Sequence, residues 1–190
     1  MIEAVALSFL IGLLRRGSIR SLASLDLKGT EWIFFGAVLQ YGSVWLAARG
    51  VPFFAAYGGL IFVVSFIPLL YGVWRSLHLP GMAWVGVGLA LNMLVIAANG
   101  GRMPVDAQMA AWAGLDGVEE ALLNEPDFRH VLMDEKTRLR FLGDVIPVPR
   151  PFPRPGVASV GDLFIVAGLF LLVQRGMVGG RRRTLQRGRA

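Results

Sequence analysis

The chain has 190 residues, 55% of them apolar, and a mean hydropathy of +0.58, against roughly 45–50% apolar in ordinary soluble domains. The absence of cysteine excludes disulfides, thiolate catalysis and iron–sulfur ligation. With only two histidines, His78 and His130, a histidine-based metal or haem site has no basis, and no cofactor is expected.

In chain order, the first apolar segment covers residues 1–14. It is short, about 21 Å at helical rise, and either crosses a thinned bilayer or lies at its interface. Its positive charges follow the apolar run, whereas a cleavable signal peptide carries them ahead of it. Crossing about 30 Å of hydrocarbon takes about 20 helical residues, and four further segments approach that length: 32–48, 55–74, 81–98 and 160–178. The expected fold is an all-α integral membrane protein. It is a single domain of about five transmembrane helices, the first one short, with a large loop over 99–157 and a basic tail over 179–190.

Orientation follows from where Lys and Arg collect in short loops. Arg15, Arg16, Arg20, Lys28, Arg75 and the arginines from 175 onward fall on one side, and Arg49 falls on the other. The first side is therefore expected in the cytoplasm with the C-terminus, and 99–157 outside. The net charge of +6 is then explained by topology and anionic lipid. The tail has no aromatic or groove-reading residues, so nucleic acid is not an expected partner.

The outer loop holds nine of the 13 acidic residues. Within it Val105, Met109, Trp112, Leu115, Val118 and Leu122 recur at helical spacing. Pro104 suits the first turn and Asp106 the positive end of an amphipathic helix, which Gly114 and Gly117 weaken. Pro147, Pro149, Pro151, Pro153 and Pro155 then alternate, a pattern expected to form an extended, stiff polyproline rod.

Three groups of residues are able to carry chemistry. Asn99-Gly100-Gly101-Arg102-Met103 is read either as a helix C-cap or as a ligand-binding turn, its backbone N–H groups and Arg102 facing a phosphate or carboxylate. Asp162 begins the last helix three residues after Ser159. It is either a capping-box partner or, as an ionisable group at membrane depth, a functional residue. Asp144 is an acid in apolar surroundings before the proline run, a turn residue or a second carboxylate for Asp162; two such groups brought together share a proton. Asn92 and Gln40 are expected to hydrogen-bond between helices, and His130 to be a solvated loop residue.

The segments Ile11–Gly17, Asn99–Pro104, Leu139–Pro147 and Ser159–Asp162 together resemble a bacterial domain-of-unknown-function family of small multi-pass membrane proteins. That resemblance spans nearly the whole chain. It implies a bacterial plasma-membrane location and brings no assigned activity. In addition, Ser159–Gly168 is similar to the last motif of the lipoprotein signal peptidases (signal peptidase II), where Asn-x-Ala-Asp opens the final helix. Gly143–Ile146 is similar to their preceding Val-Asp-Phe-Ile. This second resemblance implies Asp162 as one catalytic aspartate. The family's other aspartate belongs to a Gly-Asn-x-x-Asp-Arg motif, and Asn99–Arg102 lacks it, so Asp106, Asp134 or Asp144 would have to substitute.

The reading that follows is a membrane protein binding a lipid headgroup, peptide or partner protein at its outer face, where Asn99–Met103, Asp144, Ser159 and Asp162 converge. The alternatives are an aspartyl-type hydrolase acting on a lipoprotein or peptide, and a small transporter or accessory subunit.

Overall fold

The computed structural model describes residues 2–115, 117, 120, 122 and 129–187. The described chain is mostly helical. Helices α1 (Ile2–Leu14), α2 (Ile19–Ala23), α3 (Thr30–Ala48), α4 (Pro52–Arg75) and α5 (Met82–Ala98) precede the long loop, and α7 (Val160–Arg187) follows it. The loop itself contributes β1 (Met103–Val105), the short α6 (Ala107–Trp112), β2 (His130–Leu132), β3 (Ile146–Val148) and β4 (Gly156–Ala158).

Helix starts and stops follow local chemistry. Pro52 stands in the first turn of α4, where its missing N–H is no loss. Gly29 and Gly81 precede α3 and α5 in the left-handed region, with φ of 74° and 89°. The last helix runs on to Arg187 rather than ending near 178, because Gly179-Gly180 is followed by arginines and glutamine, which favour helix.

Packing is sequential: α3 lies on α4, α4 on α5, α5 on α7, and α7 on α1 and α2. The α5–α7 contact is a close one. A Cβ placed on Gly88 would run into the Gly161 carbonyl, and one on Gly81 into that of Gly168. The two contacts share one antiparallel register and let the backbones approach as side chains would not. At the other end, Gln174 of α7 donates to the Ser8 carbonyl of α1 at 2.6 Å and accepts from Arg15 at 2.9 Å.

Large apolar side chains lie on the outside of the bundle as well as in its core, and several small polar ones are buried. Ser8, Ser43, Ser65, Asn92 and Gln174 are buried, while Phe34, Phe35, Trp45, Leu60, Ile67, Trp74, Trp84 and Leu94 are exposed. Two helical stretches, Ala56–Arg75 and Val160–Val178, are long and apolar enough to cross a membrane, and only 39% of each is buried within the chain. Phe66, Val95 and Ile96 of the bundle pack with Met103 and Leu142 of the loop in one apolar cluster, so the loop is seated on the helices.

The loop departs from expectation in two places. Pro104 lies in a strand, not in the first turn of a helix: β1 pairs with β2 in parallel, Met103 opposite His130, and Val105 bridges Asp144. The helix starts later, capped by Asp106, whose Oδ1 accepts from the N–H groups of Gln108 and Met109 at 2.9 and 3.1 Å. It stops at Trp112 before Gly114, whose φ is 81°. Val118 lies outside the described residues.

The proline run is likewise not a continuous rod. Residues from β3 turn back, and β4 pairs antiparallel with β3, Pro147 facing Val157. A two-stranded pair leaves each strand a free edge, which is where proline is tolerated.

Candidate functional site

The site is built around the start of α7. Ser159 caps the helix: its Oγ accepts the Asp162 N–H at 3.0 Å, and Asp162 Oδ2 accepts the Ser159 N–H at 3.2 Å. This is a reciprocal capping box. Asn92, from the middle of α5, completes it. Its Nδ2 donates to Asp162 Oδ1 at 3.0 Å, and its Oδ1 accepts from Ser159 Oγ at 2.9 Å. Gly161 leaves room for this, since a Cβ there would collide with the Asn92 side chain. The expected interhelical role of Asn92 is thus seen in the geometry.

Asp144 is held by its backbone. Its N–H donates to the Pro104 carbonyl at 2.8 Å, and its own carbonyl accepts from Asp106 N–H at 3.0 Å. The strand register turns the side chain inward, leaving the residue 9% exposed. No described residue donates a hydrogen bond to its carboxyl group. Burial, reinforced by the nearby negative charge of Asp162, pushes the Asp144 carboxyl up to about 8. The group is therefore mainly a neutral acid at pH 7, able to donate as well as accept.

Asp144 and Asp162 line one cavity of about 290 Å³ between the loop and the bundle. Asn92 and Gln40 add amides to its wall, Arg129 and His130 add basic groups, and Phe62, Phe66 and Ile165 add apolar surface. Tyr41, 68% exposed, marks its lateral rim on α3. A second cavity of about 300 Å³ lies under α6, walled by Val105, Ala110, Leu115, Leu122 and Val157, and it shares His130 and Asp144 with the first.

Sequence reasoning placed His130 in solvent. The structure sets it half-buried in β2, against both cavities, because pairing with β1 draws the segment inward. Arg129 was not singled out at all. The available signal is the three-residue run His130-Val131-Leu132, too brief to stand out beside acidic neighbours.

The Asn99–Met103 group divides. Met103 lines the cavity that holds Asp144 and Asp162. Asn99 instead pins the loop: its Nδ2 donates to the Val95 and Arg138 carbonyls at 2.8 and 2.9 Å, and its Oδ1 accepts the Arg138 N–H at 2.9 Å. Gly100 and Gly101 turn the chain in the left-handed region at φ 69° and 84°, and the Gly101 backbone packs directly on Gly59 of α4. The doubled glycine thus has a packing explanation. Arg102 is exposed and lies outside the cavity lining. Among the described residues no group of three or more His, Cys, Asp or Glu side chains is placed to hold a metal ion.

A bundle of apolar-faced helices with a small folded loop over one end is the class that these features define. The chain belongs to a family of unknown function, DUF5317, whose model matches residues 24–174. A Thermotoga maritima protein described as uncharacterized is 29% identical over 171 residues, covering 90% of this chain and 88% of that protein. No solved structure matches.

Proposed function

We infer that this is a multi-pass plasma-membrane protein that binds a ligand in the cleft between its outer loop and the bundle. The observation that carries the reading is the convergence of Asp144, Asp162, Asn92, Gln40, Arg129 and His130 on one half-enclosed cavity with apolar walls. Few convergent polar groups in an apolar pocket are the usual signature of a small-ligand site. The exposed Phe, Trp and Leu side chains on the outer helix faces support lipid as their surroundings. Trp32, Tyr71 and Trp74 at one end and Trp45, Phe53 and Tyr57 at the other resemble the aromatic belts of membrane interfaces. Arg15, Lys28, Arg75 and Arg175 sit at the end away from the loop, which supports an outer position for 99–157.

The chain's lack of cysteine makes the topology directly testable. Single-cysteine variants at Glu135 and Arg20 are treated with a membrane-impermeant maleimide on intact cells. Labelling at position 135 alone supports the reading, and labelling at position 20 alone reverses it. The cleft itself is tested by native mass spectrometry of the detergent-purified protein after exposure to phosphatidylethanolamine or phosphatidylglycerol. Retained lipid that is lost in Asp144→Asn supports a headgroup site.

A second reading, an aspartyl-type hydrolase, is favoured by one observation: Asp144 and Asp162 share the cavity, and Asp144 holds its proton near neutral pH. Against it, both Asp162 oxygens are already engaged by Ser159 and Asn92. Accumulation of unprocessed lipoprotein in cells carrying Asp162→Asn at normal abundance would move this reading ahead of the first.

A further inference from the structure

The cavity that holds Asp144 and Asp162 is walled by α3, α4, α5 and α7 as well as by the loop. In the packing order α3 meets α4, α4 meets α5, and α5 meets α7. The four helices therefore form a trough, with α4 and α5 as its floor and α3 and α7 as its edges. Tyr41 lines it from the α3 edge and is mostly exposed, so the mouth opens sideways. Beside it Val38, Tyr41 and Trp45 make one exposed stripe along α3, the kind of surface that faces lipid.

The trough is also deep. Leu89 lies nine residues inside the loop end of α5, about 13 Å at helical rise. Half of a hydrocarbon core of about 30 Å is about 15 Å, so the trough descends through roughly one leaflet.

Two polar side chains on its wall have no partner among the described residues. Asn92 finds Asp162 and Ser159 across the bundle. Gln40, expected to bond between helices in the same way, does not: the Ser43 hydroxyl donates to its backbone carbonyl, and its amide bonds no described residue. The amide lies eight residues inside the loop end of α3, about 12 Å down, where an unmet polar group is costly. The Asp144 carboxyl, nine-tenths buried, likewise has no described hydrogen-bond partner.

We propose that the trough admits an uncharged lipid sideways from the bilayer, its carbonyl oxygens accepting from Gln40 and Asp144 and its hydrocarbon chain leaving between α3 and α7. The proposal rests on the cleft being a ligand site in a membrane protein, and adds the class of ligand and its route of entry.

Charge on the lining favours neither sign. Arg129 and Asp162 oppose each other, Asp144 is mainly neutral at pH 7, and both Asp162 oxygens are engaged by Asn92 and Ser159. Gln40 and Asp144 offer hydrogen-bond donation at hydrocarbon depth, where a charged head costs far more to bring than an uncharged one. At about 290 Å³ the cavity is near the lower limit of ligand sites. It holds the head of such a lipid and leaves the chain to the mouth, past Val44 and Ile165.

The test is native mass spectrometry of the full chain in detergent with three lipids: dioleoylglycerol, the dioleyl ether of glycerol, which lacks carbonyls, and dioleoylphosphatidylglycerol. Dioleoylglycerol is expected to be retained at concentrations about tenfold below the ether, the effect of one or two hydrogen bonds. Phosphatidylglycerol should be retained no better than dioleoylglycerol. Gln40→Leu should bring dioleoylglycerol to the level of the ether and leave the ether unchanged, with Gln40→Met in its place if Gln40→Leu does not fold. A dioleoylglycerol with a diazirine in its chain should label α3 and α7 around Tyr41 and Ile165. A polyprenyl quinone carries the same acceptors on a ring: tighter retention than dioleoylglycerol assigns the site to quinones, and weaker retention assigns it to glycerolipids.

Equal retention of ester and ether in the unaltered protein would overturn carbonyl recognition and leave water as the partner of Gln40. Retention of phosphatidylglycerol without dioleoylglycerol would overturn the uncharged class while the cleft reading stands. Labelling confined to other helices would overturn the sideways route. If no lipid is retained, phosphatidylethanolamine included, the cleft reading fails and this proposal fails with it.

Discussion

Asn92 and Asp162, 70 positions apart in sequence, are joined by a 3.0 Å hydrogen bond from the amide nitrogen to Oδ1. The bond ties the middle of α5 to the first turn of α7 and fixes one wall of the cleft. Ser159 closes the ring, so three side chains satisfy one another where water is scarce. Removing one partner of such a ring leaves the others unsatisfied, which costs more than the bond itself contributes.

Ser159→Ala should therefore lower stability by about 2 kcal/mol, combining a lost N-cap with an orphaned amide oxygen on Asn92. Asp162→Asn, which keeps a side-chain oxygen able to accept one of the two bonds, should cost less. Denaturation in a single detergent compares the two. Equal losses would mean that the negative charge, and not the hydrogen bonds, holds the helix start.

The α5–α7 contact gives a second expectation. Alanine is ordinarily a better helix former than glycine by about 1 kcal/mol. At Gly88, however, the added methyl meets the Gly161 carbonyl and Ile165. Gly88→Ala should therefore lower stability by about 1–3 kcal/mol. By contrast Gly42, with nothing within 4 Å of its Cβ position, should gain on the same substitution. A Tm rise in Gly88→Ala would show that the helices separate without cost.

Asp144 should give the protein a distinctive pH dependence. Its carboxyl titrates near 3.8 in a model peptide and near 8 in the fold, so between those values the folded chain binds the proton more tightly than the unfolded one. The resulting stability is fully present below pH about 4 and is lost as pH rises through about 8, at no more than about 1.4 kcal/mol per unit. Asp144→Asn cannot ionise and should lose that slope, matching wild type at pH 4 and exceeding it at pH 9. Parallel Tm curves for the two proteins would show that the carboxyl is solvated after all.

Asn99 is expected to act on the loop and not on the helices. Asn99→Ala removes three hydrogen bonds, two of them to Arg138. Faster amide hydrogen exchange over 138–144, with α5 itself unchanged, is the expected result. Unaltered exchange there would mean that the apolar contacts of Leu139 and Leu142 suffice to seat the loop.

The sequence made some of this legible. Apolar runs bounded by Arg49, Arg75, Pro80 and Asn99 marked the helices to within a few residues, because charge and helix-breaking residues act locally. Ser159 and Asp162 were readable as a cap for the same reason, their spacing being a property of one helical turn. What could not be read was pairing. Nothing near Pro104 announces that residues from 130 onward return beside it, and nothing in the proline run announces that 156–158 folds back along it. The resulting strand contacts turn His130 and Asp144 inward. Long-range register depends on the whole fold, so the acid was visible and its burial was not.

One consequence of the Gly88–Gly161 contact concerns the architecture as a whole. By bringing the middle of α5 against the start of α7, it makes the roughly sixty residues between the two helices leave and re-enter the bundle on the same side. The segment between them is in effect an insert in a helical hairpin, and its closure is secured by the helices, not by its own length. Lengthening or replacing that insert would then leave the hairpin beneath it standing, so the loop can change without rebuilding the scaffold.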